Sequence, residues 1–178
     1  MKFYLLQQMY KLKQNNAFSL FELTIVLAII VIMTTFALSF SINNNEHHVI
    51  AEAHLLRTTI WHLQQQCRAE NKNLALVFNE QENSYTTPNE THKLSAHVKF
   101  GTIQNVLGPP SSPKKRLKKT ITFKNKTIKI SPQGIAQAGT VYFVDDKKQL
   151  LYAITVPISG VSFIRMYRYR NKQWHVYT

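Results

Sequence analysis

Between residues 18 and 42 the chain carries one ionisable side chain, Glu22, and residues 23–32 read LTIVLAIIVI almost without interruption. As a helix at ~1.5 Å per residue this run would reach ~37 Å, enough for a hydrocarbon core of ~30 Å. A secretory signal peptide has an apolar region of only ~7–15 residues. That reading stays open as the alternative, because Ala37-Leu38-Ser39 offers a small-x-small cleavage site. The length predicts a membrane-spanning helix. Lys2, Lys11 and Lys13 precede the run and no Lys or Arg follows it before Arg57. Positive flanks stay cytoplasmic, so the expected topology is single-pass, with the N-terminus inside and the C-terminal domain exported.

The exported part, residues 43–178, holds 19 Lys and Arg against 8 Asp and Glu. Across all 178 residues the formal charge is +13 and 44% of residues are apolar, which allows one packed domain and excludes wholesale disorder. The mean hydropathy of −0.21 excludes a polytopic membrane protein. A single cysteine, Cys67, excludes an intramolecular disulfide framework and a multi-cysteine zinc site.

Beyond the apolar run, Val49, Ala53, Leu56, Ile60, Leu63 and Cys67 recur at alternating spacings of four and three. That period predicts an amphipathic helix over about 46–71 with one core-facing stripe. No Gly or Pro interrupts the chain before Pro88, so one long helix is expected, with its weak point in the poor helix formers SINNN of 41–45. After Asn73 the period changes to two. Strands are expected at 74–78, 84–87, 98–100, 120–123, 127–130, 140–144 and 150–156, then a closing hairpin of 161–169 with 174–177 around Asn171. Residues 101–119, with Gly108, Pro109, Pro110 and Pro113, read as a loop. The expected fold is α+β: a long N-terminal helix, membrane-spanning in its first half, packed on an antiparallel β-sheet domain.

The junction Ala17-Phe18-Ser19-Leu20-Phe21-Glu22-Leu23 sets a polar, basic leader (KLKQNN, then Ala17) before an apolar run with a carboxylate as its fifth residue. This resembles the type III signal of type IV prepilins and type II secretion pseudopilins. The resemblance implies domains of 1–17 (prepilin leader), 18–42 (transmembrane and assembly helix) and 43–178 (periplasmic domain). It implies cleavage between Ala17 and Phe18 by a prepilin peptidase, N-methylation of Phe18 by the same enzyme, and a role for Glu22 in subunit assembly. The family prefers Gly where this chain has Ala17, and initiation at Met9 would leave a leader of the more usual length. The later segments ITFKNKTIKISPQG and GTVYFVDD, with the late basic strand, resemble the GspH/FimT group of minor pseudopilins. This second resemblance implies a minor pseudopilin of a type II secretion system, anchored in the inner membrane and partnered by the other pseudopilins or pilins of its fibre. The alternative is a type IV pilus minor pilin that works in pilus assembly or DNA uptake.

The chemistry-bearing residues point away from an enzyme. The seven histidines form no H-E-x-x-H pair, and neither a G-x-x-x-x-G-K-[ST] loop nor a G-x-S-x-G elbow is present. No catalytic residue, metal site or cofactor is therefore expected. Basic residues gather in two places: Lys114, Lys115 and Arg116 in the loop, and Arg165, Arg168, Arg170 and Lys172 near the end, interleaved with Tyr167, Tyr169 and Trp174. Alternation along a strand puts Tyr167 and Tyr169 opposite Arg168 and Arg170. Cations that neutralise phosphates beside aromatics that stack on bases make a candidate DNA or anion contact. A solvated basic face is the plainer alternative.

Overall fold

The computed structural model describes residues 19–42, 44–108, 115–157 and 163–177, with helical side chains described outside 37–45. The cleavage and methylation positions Ala17 and Phe18, and the loop residue Lys114, lie outside the described residues. The chain divides into two compact units, Met1–Asn43 and Asn44–Thr178.

The first unit contributes helix α1, Leu20–Ile42. Ser19 caps it: its Oγ accepts the Glu22 backbone N–H at 3.3 Å and its carbonyl accepts that of Leu23 at 3.1 Å. This is the Ser-x-x-Glu arrangement of a capping box, with Glu22 in the first turn, where a negative charge favours the helix dipole.

The second unit opens with α2, Asn44–Glu70. Two antiparallel sheets follow. Sheet A is formed by β1 (Leu74–Asn79), β2 (Ser84–Thr86), β3 (Thr91–Lys93) and β5 (Thr127–Ile130), in the order β3-β2-β1-β5. Sheet B is formed by β4 (Val98–Phe100), β6 (Gly139–Asp145), β7 (Leu151–Val156), β8 (Arg165–Arg170) and β9 (Gln173–Tyr177), in the order β4-β6-β7-β8-β9. The six-residue stripe of α2 is buried along its whole length. It packs with Leu76, Phe78 and Ile128 of sheet A and Phe143, Tyr152 and Ile154 of sheet B in one core. A second, smaller core lies on the other face of sheet B, where Val106, Tyr142, Val144, Leu151 and Ala153 are covered by Ile103 and Leu117 of the 101–119 loop. Covered on both faces, β7 is buried at every position. Gly139 opens β6 because Phe123 packs where its Cβ would stand.

Two expectations are corrected. The single long N-terminal helix packed on one sheet is instead two separate helices, α1 ending at Ile42 and α2 beginning at Asn44, with two antiparallel sheets. Asn44 opens α2, and asparagine is a weak helix former, in line with the weak point that the sequence placed at 41–45. Membrane crossing is corrected as well: among the described residues no helix is long and apolar enough to cross a membrane. The single-pass inner-membrane placement, with a cytoplasmic N-terminus and a periplasmic domain, therefore does not stand. On a smaller scale, the strand expected at 120–123 is a single bridge, Ile121 to Val141, because β4 already occupies β6 from Phe143 to Asp145.

Candidate functional site

Two regions hold the residues singled out by the sequence. On α1, every described side chain is exposed, from Leu20 (81%) to Phe36 (66%). Its threonine hydroxyls are satisfied within the helix: Thr24 donates to the Phe21 carbonyl at 2.7 Å, Thr34 to Ile30 at 2.9 Å and Thr35 to Val31 at 2.7 Å. Glu22 is then the one charged group on an apolar rod. Such a surface can be covered on all sides by other apolar helices at no hydrogen-bonding cost except at Glu22.

The second region is the β8–β9 hairpin. Its register pairs Arg170 with Gln173, and Asn171 and Lys172 between them have φ of 53° and 62°, the two left-handed residues of a type I′ turn. Lys172 is thus exposed at the tip. Strand alternation separates the side chains. Met166 points into the main core, and Arg168 on the same face meets α2, where its Nη2 lies 2.7 Å from Glu46 Oε1. The Tyr152 hydroxyl donates to that same oxygen at 2.8 Å. Burial, and then the Glu46 carboxylate beside it, raise the Tyr152 phenol far above its ordinary value. Arg168 is therefore a strut between sheet and helix, not a free cation.

Tyr167, Tyr169 and Trp174 lie on the opposite face, as their spacing predicts, but as half-buried members of the second core. The Trp174 ring packs 5.1 Å from Tyr169 and 5.8 Å from Tyr142. Its Nε1–H donates to the Leu107 carbonyl at 3.0 Å, and Leu107 bridges to Arg116. That bond brings the loop cations Lys115 and Arg116, both exposed, to the hairpin-tip end of sheet B with Arg170 and Lys172. Arg165 lies at the far end of β8, stacked on Phe163 at 4.8 Å. The seven cations expected to act together thus divide. Four gather near the tip, Arg165 stands apart, Arg168 is consumed by Glu46, and Lys114 is undescribed.

Sequence reasoning missed three features. The Ser19–Glu22 cap was legible as S-x-x-E. Strand β3 and the Glu52 anchor were not. Glu52, 9% exposed on α2, accepts from the Ser95 backbone N–H at 2.8 Å and pairs with His92 Nε2 at 2.9 Å, tying β3 and the chain beyond it to the helix. Among the described residues no group of three His, Cys, Asp or Glu is placed to hold a metal ion. No protein-family model, curated protein or solved structure matches the chain.

Proposed function

We propose that this chain is a structural subunit of a pilin-type fibre, in the first instance a minor pseudopilin of a type II secretion system, acting by assembly and not by catalysis. The supporting observation is α1: a helix apolar on all described sides, its threonine hydroxyls satisfied internally, with one carboxylate in its first turn. Exposed apolar surface on this scale marks an interaction site. Bundling with like helices of neighbouring subunits removes it from water. In that bundle Glu22 needs a cation, and the amine of Phe18, freed by a prepilin peptidase acting after Ala17, is the fitting partner on a neighbouring subunit. Two opposite charges that leave water together specify register, because a slipped bundle leaves both unpaired. The test is co-expression of wild-type and Glu22→Gln chains with the fibre's other subunits, followed by cross-linking. Gln keeps the size of the side chain and removes its charge, so the fold should be unchanged and cross-linked assemblies lost. Normal assembly by Glu22→Gln overturns the proposal.

A type IV pilus minor pilin that contacts DNA is the second reading. The link that brings the exposed loop cations Lys115 and Arg116 to Trp174, at the end of the hairpin whose tip carries Lys172, favours it. Anisotropy titration of labelled DNA at two salt concentrations tests it. Salt-dependent binding weakened by Arg116→Gln and Lys172→Gln supports it, and its absence near physiological ionic strength removes it.

A further inference from the structure

An open groove of about 460 Å³ runs between α2 and the chain entering β8, lined by His54, Arg57, Thr58, Trp61, Phe163 and Ile164. Its two aromatic rings are unusually exposed, Trp61 at 52% and Phe163 at 42%. Arg57 is half-buried and, among the described residues, makes no hydrogen bond or ion pair, while Arg165 extends the cationic rim from its seat on Phe163. A half-buried guanidinium beside exposed aromatic rings is the composition of an interface anchor, one that lacks its carboxylate.

No described carboxylate of the chain pairs with Arg57, and most of them are held elsewhere. The chain has nine Asp and Glu against 22 Lys and Arg. Glu46 is held by Arg168 and Tyr152, Glu52 by His92 and Ser95, Glu70 by Gln66 and Glu80 by Lys126. Asp145 caps its own turn, and Asp146 pairs with His97 and Lys99. A second copy of a chain carrying +13 is repelled as well as poorly equipped.

We propose that this groove is a docking site for an acidic segment of a partner protein, one that carries an apolar or aromatic side chain between carboxylates. Arg57 takes a carboxylate in the bidentate geometry a guanidinium favours, and Trp61 and Phe163 close on the apolar side chain. Arg165 and His54 supply the surrounding positive field. The site is independent of α1, so it stands or falls separately from the fibre reading.

The probe is a fluorescein-labelled, end-blocked pentapeptide with a central leucine flanked by two aspartates and two glutamates, titrated against the full-length protein by anisotropy. Saturable binding is expected, weakened about tenfold or more by Trp61→Ala and by Arg57→Gln. Thr58→Glu, an exposed change that adds a negative charge inside the groove, should weaken it without altering the thermal melt, and serves if either other variant folds poorly. Lys147→Gln, in the turn between β6 and β7, removes one positive charge away from the groove and should leave binding unchanged. The same peptide with Asn and Gln in place of Asp and Glu should bind at least about tenfold more weakly. No saturation, or equal losses in Lys147→Gln and Arg57→Gln, overturns the proposal. So does tighter binding of an oligothymidylate of equal charge through Arg57 and Trp61, which would make the groove a nucleic-acid site.

Discussion

Helices α1 and α2 each begin with a carboxylate in the first turn, and the two carboxylates have opposite fates. Glu46 on α2 is met by the Tyr152 hydroxyl and the Arg168 guanidinium of sheet B. On α1, Ser19 caps the Glu22 backbone N–H, and the Glu22 carboxylate meets no partner among the described residues. The side chains between follow the same division. Six apolar residues of α2 form a stripe, all of it buried, whereas the described apolar residues of α1 go all the way round and are exposed. A stripe is completed inside one chain, because one sheet surface covers it. An all-round apolar helix has more apolar surface than one domain face can hide, and on the proposed fibre reading other helices cover it. The same chain thus carries one helix that builds its domain and one that, on the proposed reading, reaches for partners.

The comparison breaks first if the two helices respond alike to truncation. Leu56→Ala on α2 should destabilise the folded unit by about 2–5 kcal/mol, because the cavity lies in the main core. Ile30→Ala on α1 should change it by less than about 0.5 kcal/mol. Urea denaturation of the full-length protein reads both, and a large effect of Ile30→Ala would contradict the division.

The anchoring of α2 has a pH signature. In the folded protein the Tyr152 phenol titrates well above its unfolded value of about 10, so the folded state keeps a proton that the unfolded state releases. Stability from this group is therefore fully present below about pH 10 and is lost as pH rises toward the folded value, by about 1.4 kcal/mol per pH unit. Tyr85, pushed up to about 12 by burial, and Tyr142, also raised by burial, act in the same direction. Tyr152→Phe should make the alkaline stability curve shallower by the contribution of one phenol, and an unchanged slope would contradict the assignment.

Arg168→Gln sharpens the comparison from the sheet side. The pair with Glu46 is about three-quarters buried at Arg168, with 25% of its side chain exposed. Its loss should cost about 1 kcal/mol after allowance for solvent screening, and Glu46→Gln should cost little more once Arg168 is already gone. On α1 the corresponding change is the smallest of all. Glu22→Gln should leave the denaturation midpoint within error while abolishing assembly, so the two acids separate cleanly by assay.

Periodicity made α2 legible. Spacings of four and three can put six apolar residues on one face only in a helix, and all six are buried. It also gave β4 and β5 their bounds, since each places alternate apolar residues inward. Strand β3 was hidden because Thr91, His92 and Lys93 show no apolar alternation. It is held by pairing with β2 and by the Glu52–His92 contact. Membership of two sheets instead of one has no period of its own, because it depends on which strands meet in space. Residues 20–36 show what composition alone leaves open, since apolarity says that a helix needs cover and not whether lipid or protein supplies it. At the hairpin, alternation correctly set tyrosines against arginines. The partner that removes Arg168 from the free cations, Glu46, lies at the other end of the domain sequence, where no local pattern points to it.

The mature N-terminus tests the central claim most directly. Intact-mass spectrometry of the protein, purified from cells with an active prepilin peptidase, should find a chain that begins at an N-methylated Phe18, its amine placed to meet Glu22 of a neighbour. A chain that retains residues 1–17, or one trimmed near Ser39 so that α1 is severed, would contradict the account.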